Sequence, residues 1–139
     1  MVAVALEPIR RNCPGCSYDR QVTFALVPQL LRELPGRYVV EPADEAVGEV
    51  ARIEISDDRT VVRQVAADAA DGWVALSSEG TPHGLEEPGM TVSLLLPLAE
   101  AGIGVFVAST LSADVVLVAG PDVSAARRAL VEAGHRFVD

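Results

Sequence analysis

Two segments of the sequence combine residue types that could hold a small charged molecule. The first is Glu87-Pro-Gly-Met-Thr91, which links a predicted strand to a predicted helix. Gly89 would let a ligand approach the backbone closely, and the first amides of the helix would point outward at the positive end of its dipole. Such amides can bind a carboxylate. The alternative is an ordinary connection between a strand and a helix.

The second segment runs over residues 107–114 and places three hydroxyls and one carboxylate between two apolar strands. Asp114, beside the hydroxyls of Ser109 and Thr110, could hold an ammonium group, because a nearby opposite charge offsets the cost of desolvation. A carboxylate receptor and an ammonium receptor in one module would suit a free amino acid. The alternative is a polar hairpin turn.

The two cysteines form a Cys-Pro-Gly-Cys pair at Cys13 and Cys16. They could be a redox dithiol or half of a zinc site. A zinc site would need two more ligands, and a redox dithiol would be expected to open a helix after a buried strand, a context that is missing here. We therefore favour a Pro-Gly turn with two free thiols and predict no metal.

Enzyme signatures are missing from the sequence. It has no Gly-x-Ser-x-Gly, phosphate-loop or dinucleotide motif, and its eleven basic residues are all Arg, which excludes lysine Schiff-base chemistry. His83 and His135 are expected to be solvated loop residues rather than catalytic bases. We predict a protein without catalysis and without a cofactor.

Net charge and hydropathy limit the kinds of partner that the protein can bind. The net charge of −9 has the wrong sign for a nucleic-acid backbone. The apolar stretch at residues 1–6 is too short to cross a bilayer, and residues 1–9 lack the basic leader of a secretory signal. We expect a cytoplasmic protein with no nucleic-acid or membrane partner.

Hydrophobic patterning predicts the elements that would position these residues. Strands are expected at residues 38–40, 73–76, 103–107, 115–118 and 135–138, with a hairpin over residues 51–65. A short helix is predicted at residues 29–34. A longer helix should begin at Met90, be kinked or divided at Pro97 and stop at Gly102. A last helix should begin at Asp122 as N-cap and end at Gly134.

The order from Trp73 onward is strand, helix, strand, strand, helix, strand. This βαββαβ order predicts an α+β, ferredoxin-like two-layer sandwich. Residues 37–71 look like fragments of a similar unit with weak or missing helices. The predicted organisation is an N-terminal extension at residues 1–36, a partial first module at 37–71 and a second module at 72–139.

The chain from Glu87 to Phe106 resembles the ACT domain, in which a Pro-Gly pair opens the first helix. The continuation Ile103-Gly-Val-Phe-Val-Ala-Ser-Thr-Leu-Ser-Ala-Asp-Val resembles the short bacterial proteins with paired ACT modules that are similar to CASTOR-type cytosolic arginine sensors. Those proteins carry Ser-Thr-Tyr-Asp-Thr-Asp-Tyr where this chain has Ser109 to Val115. The missing acid and aromatic rings disfavour arginine itself as the ligand.

The resemblance implies a non-catalytic regulatory module, with two ACT-type units and a first unit that is degenerate. It implies an amino acid held at the interface between ACT modules, a homodimer, and a regulated protein that the sequence does not name. The resemblance and the residue chemistry together give the ligand-binding candidates Gly89, Met90, Thr91, Gly104, Val105, Ser109, Thr110 and Asp114. The alternative function is a structural dimerisation module that pairs through exposed strand edges without any ligand.

Overall fold

A computed structural model of the protein describes residues 3–4, 24–42 and 48–138. The strands are β1 Ala3–Val4, β2 Phe24–Ala25, β3 Leu30–Glu33, β4 Arg37–Pro42, β5 Glu49–Ile55, β6 Asp58–Val65, β7 Trp73–Ser77, β8 Val105–Val107, β9 Val115–Ala119 and β10 Arg136–Val138. The helices are α1 Met90–Glu100 and α2 Val123–Glu132, and a 3-10 turn at Gly120–Asp122 leads into α2.

The C-terminal half follows the predicted order β7-α1-β8-β9-α2-β10. β7 pairs with β9 over its full length, from Trp73 opposite Ala119 to Ser77 opposite Val115, and β9 pairs with β8 on its other side. Both pairings are antiparallel, as a ferredoxin-like sheet requires. The α+β class and the ferredoxin-like arrangement are therefore confirmed.

β3 adds a strand that the sequence did not predict. It lies between β7 and β10, antiparallel to β7 and parallel to β10. The short helix predicted at residues 29–34 is wrong, because two strands with free edges accept these residues and Leu31 becomes buried between them. Tertiary pairing overrides a weak local preference of this kind.

The helices cover one face of this sheet. Leu94 and Leu98 of α1 and Leu130 of α2 are at most 2% exposed and pack on the sheet. The strands contribute Val74, Leu76, Val116 and Val118, which alternate along β7 and β9 and so share one face of the sheet. At about 25 cal/mol per Å² of buried apolar surface, this core is the main source of stability.

The face of the sheet opposite the helices is open in a plain two-layer sandwich. Here an extension of the same sheet covers it. After Pro35 and Gly36 the chain diverges from β7, and β4 pairs with β7 at Tyr38 opposite Trp73. β4 then forms an antiparallel meander with β6 and β5. A second apolar cluster lies between this meander and the strands β7 and β9, and it includes Tyr38, Val62, Ala75 and Leu117. The predicted hairpin over residues 51–65 is confirmed as β5 and β6.

A second ACT-like module at residues 37–71 stays a prediction. The described part of that range contains β4, β5 and β6 and no helix. Neither described helix has the length and apolarity that a bilayer crossing requires.

The helix termini show two departures from expectation. Asp122 is the N-cap residue of α2, as predicted, but it lies in the 3-10 turn and makes no side-chain cap hydrogen bond. α1 runs unbroken through Pro97, so of the predicted kink or division the division is wrong, and the kink stays a prediction. Gly102 and Gly134 have φ of 72° and 98° after the two helices, as the predicted stops require.

Gly36 lies in the turn between β3 and β4. Its substitution by alanine is expected to destabilise the protein by about 1–2 kcal/mol. Its φ is 91°, a left-handed conformation that a Cβ disfavours, and the added Cβ would collide with the Gln64 amide. Urea denaturation measures the loss. Gly104→Ala is the matched control, since its Cβ meets open space and its φ is not positive. Equal effects of the two substitutions would contradict the assignment.

Candidate functional site

Asp114 is the buried charge at the end of the sheet where β7 and β8 finish. It is 3% exposed, at the start of β9. Its Oδ1 accepts a hydrogen bond from Ser109 Oγ at 2.5 Å. Its Oδ2 is fully enclosed and has no hydrogen-bond donor among the described residues. A buried carboxylate oxygen without a donor is costly, so this position calls for a cation.

The loop after β7 is fixed against Asp114 by Ser78. Ser78 Oγ accepts from the Asp114 N–H at 2.8 Å, and the Ser78 N–H donates to the Asp114 carbonyl at 2.8 Å. Farther along the loop, the His83 N–H donates to the Ser112 carbonyl at 3.1 Å. The loop over residues 78–89, which we call the β7–α1 loop, is therefore attached to the 109–114 segment at two places.

His83 faces the unpartnered oxygen of Asp114. Its Nε2 lies 3.4 Å from Asp114 Oδ2, and the His83 side chain is 11% exposed. Nε2 is itself buried and has no hydrogen-bond partner among the described residues. The prediction that His83 is a solvated loop residue is therefore wrong. The loop folds back because Ser78 and His83 bond to the facing segment, and sequence spacing alone does not show this.

The three side chains Ser109, Asp114 and His83 do not form a nucleophilic triad. The carboxylate lies in the middle, so Ser109 contacts Asp114 and not the imidazole. A serine nucleophile needs the imidazole as its base. The arrangement is suited to holding a cation rather than to acyl transfer.

The start of α1 has the geometry that an approaching ligand needs. Gly89 precedes the helix with φ of 89°, and a Cβ there would meet open space. Met90 is buried, whereas Thr91 is half-buried. The β7–α1 loop carries both His83 and Gly89, so one segment of chain joins the Asp114 cluster to the start of the helix.

Gly104 and Val105 lie elsewhere. Val105 begins β8 and Gly104 directly precedes it, just after the C-terminal end of α1, whereas Gly89 lies at the N-terminal end of that helix. Eleven helical residues at 1.5 Å each separate these ends by roughly 16 Å. Within one chain the structure thus brings together Ser109 and Asp114 and leaves Gly104 and Val105 at the far end of α1.

Thr110 points away from Asp114. Its hydroxyl donates to the Ala113 carbonyl at 3.3 Å. It also lines a cavity of about 180 Å³ on the face of the sheet opposite the helices, among apolar residues that include Ala75, Ala108 and Val115. The sheet separates this apolar cavity from the Asp114 cluster.

A second buried polar cluster holds the N-terminal side of α1, and sequence reasoning missed it. His135 is 1% exposed, so the prediction that it is a solvated loop residue is wrong. The Gln29 N–H donates to His135 Nδ1 at 3.1 Å, and His135 Nε2 lies 2.8 Å from the Ser93 carbonyl. Since Nδ1 accepts, the neutral ring carries its proton on Nε2 and donates it to Ser93.

Pro97 explains why the Ser93 carbonyl is available. In an unbroken helix that carbonyl would accept from the N–H of residue 97, but proline has none. His135 supplies the missing donor. Ser93 Oγ also accepts from the Val27 N–H at 2.9 Å and donates to the Gly89 carbonyl at 2.6 Å. The sequence signal for this cluster is a proline inside a helix together with a histidine beyond a helix stop.

The stability of the protein is expected to fall as pH drops below about 6.5 because of His135. Burial lowers the pKa of its imidazole below the usual 6.5, with the Ser93 hydrogen bond opposing part of that shift. The unfolded chain takes up the proton first, so this contribution is complete above that pH and is lost below it, by at most about 1.4 kcal/mol per pH unit. Urea titrations between pH 8 and pH 5.5 test this. A slope unchanged in His135→Gln would contradict it.

Possible metal ligands do not cluster in the described part of the chain. No group of three or more His, Cys, Asp or Glu side chains there could hold a metal ion. Cys13 and Cys16 lie outside the described residues, so their role stays a prediction.

One family model matches the C-terminal part of the chain. Residues 68–132, from just before β7 to the end of α2, match the family model of the ACT domain. This match supports the predicted ACT domain at these residues. The resemblance to paired-ACT sensors stays a prediction. No curated protein matches the chain.

Two solved structures share the fold. Protein Atu0741 from Agobacterium tumefaciens is 28% identical with a TM-score of 0.66, and the match covers 81% of this chain and 93% of that one. A Vibrio cholerae protein of unknown function, VC0802, described as a possible transport protein, is 19% identical with a TM-score of 0.64, covering 83% and 93%. The second likeness supports the fold alone.

Proposed function

We propose that the protein is a regulatory module that binds a free amino acid, with Asp114 as the receptor for the ligand's ammonium group. The ACT domain at residues 68–132 indicates a small-molecule-binding regulatory role in general. The observation that carries the amino-acid proposal is the enclosed Asp114 Oδ2, which has no hydrogen-bond partner among the described residues, although His83 Nε2 lies 3.4 Å away. An α-ammonium group supplies both the charge and the donors that this oxygen needs.

The ligand carboxylate would be bound by the amides of Gly89, Met90 and Thr91. Gly89 leaves open space beside the backbone there, and the helix dipole favours a negative charge. Ser109 would orient Asp114 through its bond to Oδ1. Gly104 and Val105 would reach such a ligand only from a second copy of the chain, which agrees with the proposed homodimer.

Two charge-assisted contacts could contribute roughly 3–6 kcal/mol before ordering costs, enough for micromolar to millimolar sensing. Isothermal titration against each of the twenty amino acids tests the proposal. We expect at least one to bind with a Kd below about 10 mM. Binding by none of them would remove the proposal.

A structural dimerisation module is the second candidate. β8 pairs with β9 on one side and with no other described strand, and Val105, Phe106 and Val107 are each only half-buried. Exposed strand edges of this kind pair readily. Dimerisation in light scattering without any thermal shift from amino acids would favour this function over the first.

A further inference from the structure

We infer that the cavity on the face of the sheet opposite the helices is a second ligand site, which takes an uncharged apolar molecule of about the size of one aromatic ring. The sheet separates this cavity from the Asp114 cluster, and the two places differ in chemistry. The inference therefore goes beyond the proposed function and does not depend on it.

The cavity lies between the β4–β6–β5 meander and the strands β7 and β9. Ala75 and Leu117, which are directly opposite each other in the antiparallel register, line it on one side. Tyr38, Val62 and Ala51 line it from β4, β6 and β5. The same residues belong to the second apolar cluster, so the cavity is an interruption in the packing of that cluster.

Small side chains keep this space open. Ala51, Ala75 and Ala108 line it from three separate segments, namely β5, β7 and the residue after β8. Protein interiors contain few voids larger than a water molecule, because the lining of a void loses dispersion contacts. A larger apolar side chain at any of the three positions would occupy part of the volume of about 180 Å³. The space is therefore room for an occupant.

Water is a poor occupant of this cavity, because a buried water molecule needs about two to four polar partners. The two hydroxyls of the lining belong to Tyr38 and Thr110. Tyr38 already donates to the Pro35 carbonyl at 3.0 Å, and Thr110 donates to the Ala113 carbonyl at 3.3 Å. Burial also raises the pKa of Tyr38 above its usual value, as apolar surroundings do.

The lining also determines the class of ligand. Among the described residues it contains no charged side chain, so an ammonium, carboxylate or phosphate group would lose its hydration there without a partner. An apolar cavity of roughly 150 Å³ can hold benzene, and this one measures about 180 Å³. The lining residue Val50 is 57% exposed, so the cavity reaches the surface beside it and a ligand can enter there.

Nuclear magnetic resonance titration of the full chain with toluene tests the inference. Benzoate, which has a carboxylate in place of the methyl group, is the matched probe. We expect toluene to shift the backbone amide signals of Ala75, Ala108 and Leu117 and to bind with a Kd below about 2 mM. It should also raise the melting temperature, because a ligand that binds only the folded state stabilises it. Benzoate at the same concentration should do neither.

Two substitutions that fill the cavity from different strands test its location. Ala75→Val and Ala51→Val add apolar atoms inside the space, and each should weaken toluene binding by about tenfold or more. Both should melt at or above the wild-type temperature, because the added groups gain contacts in a void. Ala119→Val makes the same change at a half-buried position of β9 outside the cavity lining. It is the matched control and should bind toluene as the wild type does.

Four results would overturn the inference. Absence of toluene binding by the wild-type protein removes the site. Benzoate binding as tightly as toluene contradicts the apolar character of the site. Equal toluene affinity in the wild type and in both filling variants places the bound molecule elsewhere. A lower melting temperature for both filling variants would show that the space is already occupied by the protein. None of these results bears on amino-acid binding, which is tested separately.

Discussion

Replacing Asp114 by asparagine is expected to weaken amino-acid binding by about tenfold to a hundredfold, because the contact between the ammonium group and the carboxylate is lost. A hydrogen bond to a charged group is worth about 1.5–3 kcal/mol, which corresponds to this range of Kd. Asparagine has nearly the same shape as aspartate, so the change removes the charge while Ser109 keeps its acceptor.

The same substitution is expected to leave the empty protein at least as stable as the wild type at pH 7.5. The substitution replaces a buried carboxylate oxygen that has no hydrogen-bond partner among the described residues with an uncharged amide, which costs less to bury. Thermal denaturation measures this, and titration calorimetry measures binding. Asp122→Asn is the matched control, because Asp122 is exposed and makes no cap hydrogen bond. A loss of stability without a loss of affinity would show that Asp114 is structural.

Replacing His135 by alanine is expected to destabilise the protein by about 3–5 kcal/mol. The change leaves the Gln29 N–H and the Ser93 carbonyl without their partners in a fully buried site, and it opens a cavity. Urea denaturation measures the loss. His135→Gln, whose amide can donate to one group and accept from the other, should recover part of it.

A double-mutant cycle with Pro97 separates this explanation from a simple packing effect. In Pro97→Ala the new N–H can bond to the Ser93 carbonyl within the helix, so removal of His135 leaves one unpaired group fewer. We expect His135→Ala to cost at least about 1 kcal/mol less in the Pro97→Ala background. Additive effects of the two substitutions would show that the proline and the histidine are not coupled.

The fold of the C-terminal half could be predicted because its signals are local. Three signals each describe a single element: the β-branched runs at β8 and β9, the two glycine stops, and the three- and four-residue spacing of Met90, Leu94, Leu95 and Leu98. β3 could not be predicted in this way. Residues 30–33 become a strand only because β7 and β10 offer free edges, and those edges exist only in the folded protein.

The candidate site could be predicted only where its contacts are local in sequence. Asp114 and Ser109 are five residues apart, and their hydrogen bond follows from one tight connection. His83 is 31 positions from Asp114, and His135 is 42 positions from Ser93, so both contacts depend on the packing of separate segments. The positions of the two histidines, one in a loop and one after a helix stop, predicted solvent exposure. In the folded protein their rings lie beside two acceptors, Asp114 Oδ2 and the Ser93 carbonyl.

A crystal structure of the protein grown with an amino acid that binds in calorimetry tests the central claim most directly. The account predicts the ligand nitrogen within about 3 Å of Asp114 Oδ2. A ligand nitrogen placed away from that carboxylate would contradict it.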